Sequence, residues 1–142
     1  MKQSNHHFSY TIAVKASAAE VWRVLTDAPG WHRWDTEILE ATLAGDFAAG
    51  TSGTMRPKKG PVLKFYISEV IPNQSYTFCT ILPVGELVIK RSLSVGKNET
   101  HFTDDIAFTG FLKYFFGLLL GSQFRKVLPG VMNSFKKIVE RG

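Results

Sequence analysis

Between Glu37 and Thr109 the chain has no connection long enough to hold a crossover helix, and this limits its folds more than any other feature. Candidate strands cover Ile38–Leu43, Gly53–Arg56, Val62–Ile71, Ser75–Leu82, Glu86–Val95 and Glu99–Thr109. They are separated by a loop over Gly45–Gly50 and by turns at Pro57-Lys58-Lys59-Gly60-Pro61, Pro72-Asn73, Pro83–Gly85 and Gly96-Lys97-Asn98. A parallel neighbour needs a crossover of about a dozen residues or more, so these strands pair antiparallel. Phe8–Val14 also alternates and is rich in strand-forming types, which brings the sheet to about seven strands.

The helical segments lie on either side of the later strands. Ser17-Ala18-Ala19-Glu20 is a capping box: the serine oxygen accepts from a free helix-start N–H, and the glutamate reaches back. Val21, Trp22, Val24 and Leu25 make the following helix apolar on one side, and Asp27-Ala28-Pro29-Gly30 stops it. Trp31–Asp35 reads as a short helix or turn. At the other end, Phe124, Leu128, Val131, Phe135 and Ile138 recur three and four apart, as one apolar helix face does. Lys126, Asn133 and Lys137 lie nearly opposite, and Pro129 predicts a kink. The expected class is α+β: a curved antiparallel sheet of about seven strands around a long C-terminal helix, in the order β-α-α-β6-α, with residues 1–142 as one domain.

Several functions are excluded or disfavoured. Cys79 is the only cysteine, so no intrachain disulfide forms; it lies in an apolar strand and reads as core. No HExxH, CxxC or spaced Cys/His set is present, and His6-His7 is a lone pair near the terminus, so no metal is expected. There is no Walker loop, GxGxxG or GxSxG, so no cofactor is expected. The net charge of +5 is unevenly placed. Lys/Arg and Asp/Glu balance over residues 1–110, and the excess comes from Lys113, Arg125, Lys126, Lys136, Lys137 and Arg141 against Glu140. A basic terminal helix on a neutral body argues against nucleic acid as a partner. The longest apolar run, Phe111–Gly121, is interrupted by Lys113 and falls short of the roughly 20 residues a bilayer span needs. The first residues contain no apolar stretch of the signal-peptide kind. The expected location is the cytoplasm.

On the strands, Leu63/Phe65/Ile67, Leu87/Ile89/Leu93 and Phe102/Ile106/Phe108 share the inward phase, with Lys64, Ser68, Lys90, Ser92 and Thr103 opposite. A strongly curved sheet around one helix is hard to fill with side chains, so the architecture predicts a pocket; a fully packed core is the plainer alternative.

The chain resembles the START-like (SRPBCC) helix-grip superfamily, which includes polyketide cyclase/dehydrase-like, lipid-transport-like and Hsp90-activator-like proteins. The resemblance is carried by residues 16–25, by Trp31-His32-Arg33-Trp34, by Glu99-Thr100-His101-Phe102-Thr103 and by Phe108-Thr109-Gly110-Phe111-Leu112. It covers nearly the whole chain and speaks to fold more than to activity. It implies a hydrophobic cavity between helix and sheet, open near the loops and the start of the last helix. The expected function is therefore binding of a hydrophobic or amphipathic small molecule of lipid, polyketide or isoprenoid type, more a non-catalytic binding role than an enzyme's. A cyclase or dehydratase is the first alternative and an Hsp90-activator-like interaction domain the second.

The candidate lining is Trp31, Trp34, Phe65, Ile67, Ile89, Phe102, Ile106, Phe108, Leu112, Phe116, Leu120, Phe124 and Leu128. Residues 111–121 are apolar nearly all round, which suits a cavity mouth or lid, a peripheral membrane or partner contact, or a buried turn. Arg33 either holds a ligand's acidic end or stands in solvent beside a Trp34 plug. Arg56, Lys58 and Lys59 form a basic hairpin tip. For catalysis the candidates are Asp104, placed inward by alternation with Phe102 and Ile106, together with Tyr76 and His101. Either a monomer or a homodimer fits the sequence.

Overall fold

In the computed structural model, residue 4 and residues 6–83, 85–110 and 120–141 are described. The first strand, β1 (His7–Val14), pairs with the last, β7 (Glu99–Thr109), and the others follow in chain sequence across the sheet. They are β2 (Ile38–Leu43), β3 (Ser52–Pro57), β4 (Leu63–Ile71), β5 (Ser75–Leu82) and β6 (Gly85–Gly96). The order is β1-β7-β6-β5-β4-β3-β2 and all pairs are antiparallel. Short connections dictate this, since each strand folds back on its predecessor. Among the described residues, Asn73 and Asn98 are the two left-handed turn positions outside glycine, both with φ of 61°. Asparagine tolerates that region better than most residues do.

Two irregularities bend the sheet, one in β2 between Ile38 and Glu40 and one in β4 between Ile67 and Glu69. Gly53 lets β3 run close to its neighbours. A Cβ there would collide with the Thr42 carbonyl oxygen and stand 2.7 Å from Cζ of Phe65.

Helix α1 (Ala18–Leu25) starts in the predicted capping box, with Glu20 N–H donating to Ser17 Oγ at 3.2 Å and the glutamate accepting from Ser17 N–H at 3.3 Å. A 3-10 turn, Ala28–Arg33, comes next, with Pro29 fixing the backbone at its start. The long helix α2 (Ser122–Arg141) is continuous through Pro129. Its buried residues are Leu128, Val131, Met132, Phe135 and Val139. The core face is thus turned slightly from the predicted stripe: Met132 and Val139 join it, while Phe124 and Ile138 are only partly buried. An apolar stripe wide enough to face a sheet admits two adjacent phases, and packing chose between them.

α2 also covers the free edge of β1. Lys136 Nζ donates to the Ala13 carbonyl at 2.9 Å, and the Lys15 N–H donates to Glu140 Oε2 at 2.7 Å. These bonds occupy backbone groups that would otherwise invite another strand.

Cys79 is buried, as expected, but on the sheet's other face, with Sγ beside Ser68 Oγ at 4.0 Å. Tyr76, Phe78 and Thr80 take the inward positions of β5, and alternation sends Cys79 outward. Among the described residues no helix is long and apolar enough to cross a membrane.

Candidate functional site

A charged row crosses the inner face of the sheet. Register pairs Tyr76 on β5 with Arg91 on β6, and Arg91 with Asp104 on β7. Cross-strand partners share a face, so the three side chains stand side by side under α1 and α2. Arg91 is 4% exposed and Asp104 2%, and Tyr76 is fully buried.

The guanidinium is surrounded by aromatic rings. Its Cζ lies 5.0 Å from the Trp31 ring centre, 4.9 Å from Trp34, 5.0 Å from Phe78 and 5.9 Å from Tyr76. All are within reach of a cation–π attraction, which strengthens away from water. Nη1 donates to Tyr76 Oη at 3.0 Å. Tyr76 in turn donates to the Leu25 carbonyl at 2.7 Å, and Trp31 Nε1 donates to the same oxygen at 2.8 Å. The last turn of α1 leaves that carbonyl without a helical partner, so two aromatic side chains dock there and hold the cage in place.

The row is incompletely paired. Arg91 Nε stands 3.5 Å from Asp104 Oδ1, too long and poorly aligned for a good hydrogen bond. Both atoms, with Thr80 Oγ1 and Trp34 Nε1, are buried without a protein hydrogen-bond partner. Burial pushes the Asp104 carboxyl up to about 6, against the pull of Arg91. Burial likewise raises Tyr76 to about 12, and Arg91 partly offsets it. For Arg91 burial disfavours the charge, but Tyr76 and Asp104 outweigh it and the guanidinium stays protonated. Asp35, just past the 3-10 turn, is also raised by burial, although Arg91 attracts its charge and the Glu37 N–H donates to it at 3.0 Å.

The structure brings most of the predicted residues together. Trp31, Trp34, Phe65, Ile67, Ile89, Phe102, Ile106, Phe108 and Leu128 belong to one buried cluster, and Phe124 packs against it. Ring centres lie 5.6 Å apart for Trp31 and Phe65, 4.9 Å for Trp34 and Phe135, and 4.9 Å for Phe102 and Phe135. These ring contacts cross the space between sheet and helix. Leu120 is 44% exposed, at the start of the C-terminal helical segment. Leu112 and Phe116, with the rest of 111–119, lie outside the described residues.

Asp104 and Tyr76 meet inside, but His101 does not join them. It points to the opposite face, 43% exposed, with Nε2 at 2.6 Å from Glu99. Alternation with inward Phe102 and Asp104 requires this. Arg33 is exposed and takes no part in the interior row, and Arg56 pairs with Glu40 at 3.7 Å. The interior cation is Arg91, which the sequence analysis did not single out. The signal was present: Leu87, Ile89, Arg91 and Leu93 share one phase, and a charge inside an apolar period-two run is unusual.

The family described as "Polyketide cyclase / dehydrase and lipid transport" matches residues 5–140. Among solved structures, a START superfamily protein from Mycobacterium smegmatis superposes with a TM-score of 0.78 at 15% identity, covering 96% of this chain and 98% of that one. DynU16, from the dynemicin biosynthetic locus, gives 0.73 at 19% identity over 95% of this chain; the chain spans only 47% of DynU16. Ara h 8.0201 gives 0.73 at 10% identity, covering 96% and 99% of the two chains. Such low identities show a shared fold alone. No curated protein sequence matches significantly.

Proposed function

This chain belongs to the polyketide cyclase/dehydrase and lipid transport family, and from that premise we propose that it binds a hydrophobic or amphipathic small molecule between the sheet and α2. The ligand class is a lipid, polyketide or isoprenoid, and residues 1–142 act as one binding unit. The supporting observation is the buried, incompletely paired couple of Arg91 and Asp104, with Thr80 unpaired further along β5, inside a largely apolar cluster. A core selected only for stability gains little from a buried charge pair, since an apolar replacement of similar shape is often as stable or more so. Unpaired buried polar atoms call for an explanation, and the polar end of a ligand supplies one. The apolar part of the ligand would sit against the aromatic cluster, while Arg91 and Thr80 set its orientation.

Native mass spectrometry of the purified protein, together with titration by the fluorescent fatty acid parinaric acid, tests this. A retained small molecule, or saturable binding that Arg91→Met weakens, is the expected result. A wild type that neither retains a molecule nor saturates overturns it.

A second reading, a cyclase or dehydratase, rests on Asp104. A carboxyl raised to about 6 is ionised at neutral pH and basic enough to take a proton, and the neighbouring guanidinium would stabilise the resulting oxyanion. Tyr76 is less suited, because its hydroxyl proton is committed to the Leu25 carbonyl. In this reading Asp104→Asn abolishes turnover while parinaric acid still binds.

A further inference from the structure

A second recess lies apart from the sheet's inner row. It is a cleft of about 240 Å³ at the junction of α1, the 3-10 turn and the last turns of α2. Val24, Gly30, Trp34 and Ile138 form its apolar walls, and Arg23, Arg33 and Asp27 are its charged residues. The two arginines come from different elements and are exposed. Among the described residues neither forms an ion pair with a carboxylate. The carboxylate of Asp27 lies against Gly30, where a Cβ would collide with Oδ2. Glycine therefore makes room for this acid at the wall. Arg141 stands one helical turn beyond Ile138 on the same side of α2 and adds positive charge to this end of the molecule.

Trp34 links the cleft to the interior row. Its ring packs on Arg91 at 4.9 Å and on Phe135 at 4.9 Å, it lines the cleft, and its Nε1 is buried without an acceptor. Buried indole N–H groups ordinarily have a partner. Two exposed guanidinium groups, neither in an ion pair among the described residues, therefore flank an apolar recess holding a single acid.

We infer that this cleft binds an oxyanion, a carboxylate or phosphate, borne on a short apolar body. Guanidinium forks match the paired oxygens of such groups, and Arg23, Arg33 and Arg141 together outnumber Asp27 and Glu20, the acid that Arg23 attracts along its own helix. Val24, Trp34 and Ile138 receive the adjoining carbon atoms. At about 240 Å³ the cleft is smaller than the roughly 300–1,000 Å³ of ordinary small-molecule pockets, so it accommodates a head group and its first carbons rather than a whole lipid. None of its charged residues belongs to the interior row, although Trp34 borders both.

The test is a ¹H–¹⁵N titration that follows the indole signals of Trp22, Trp31 and Trp34. Octyl phosphate and inorganic phosphate are the two probes. Octyl phosphate is expected to move the Trp34 indole signal saturably while Trp31, tied to the Leu25 carbonyl, stays in place. Inorganic phosphate should need roughly tenfold more, for want of the apolar part. The double variant Arg23→Gln/Arg33→Gln should raise the octyl phosphate Kd roughly tenfold or more with the Trp31 signal unchanged, since both side chains are exposed. Sedimentation with phosphatidic acid vesicles separates the sources. Octyl phosphate binding with sedimentation supports a lipid head group, and binding without it supports a soluble acid in the same site. An unmoved Trp34 signal, equal affinity for the two phosphates, or a double variant that binds like the wild type overturns the inference.

Discussion

Replacing Asp104 with asparagine tests the electrostatics of the buried row directly. In the folded protein burial raises this carboxyl from an ordinary 3.8 to about 6. At about 1.4 kcal/mol per pH unit, that displacement is worth about 3 kcal/mol. Between the two values the folded state holds a proton that the unfolded state has lost. The unfolding free energy therefore falls as pH rises through that window. The cost of the buried charge is fully present at neutral pH and disappears as pH drops below the unfolded value. Asparagine keeps the shape of the neutral acid and has no proton to lose. The wild type should gain on Asp104→Asn by about 2 kcal/mol between pH 7 and pH 4, the part of the displacement that this interval spans. Urea denaturation of both proteins across that range measures it. Asp35 is raised in the same direction but is present in both proteins, so most of its effect cancels in the difference. A difference that does not change with pH would refute the reasoning. So would one of opposite slope, because Arg91's attraction would then outweigh burial.

Two further substitutions probe the frame that holds the row. Gly53→Ala places a methyl group against the Thr42 carbonyl and the Phe65 ring, and should cost about 1–3 kcal/mol. Hydrogen exchange should show protection lost across β2 and β3 while β6 and β7 keep theirs; uniform protection would rule out this account. Phe135→Ala removes the ring that meets both Trp34 and Phe102, each at 4.9 Å, and should cost about 3–5 kcal/mol in thermal or urea unfolding. A loss under 1 kcal/mol would mean that α2 is not seated on those rings.

The helix-grip architecture was legible because local rules carry it. Short turns between period-two runs leave antiparallel pairing as the solution, and the capping box at Ser17 marks where α1 begins. Strand ends were placed to within one residue, and β2, β5 and β7 over their whole ranges, since Pro, Gly and Asn mark the turns. His101 follows from alternation within β7 once the inward phase is known, and that places it apart from Asp104 and Tyr76.

Alternation by itself determined that Asp104 faces inward, and it put Arg91 in the same layer. What the sequence could not specify is that these two meet each other and Tyr76. Their encounter depends on the register of β5, β6 and β7, while two rings of the cage around the guanidinium, Trp31 and Trp34, come from the 3-10 turn and its end, far away along the chain. The same holds for the cleft, where Arg23, Arg33 and Ile138 converge only because α2 folds back across α1. Backbone sterics and side-chain period act over a few residues, so a sequence displays them. Burial, pKa and ion pairing depend on which distant groups exclude water from one another, and tertiary packing alone decides that.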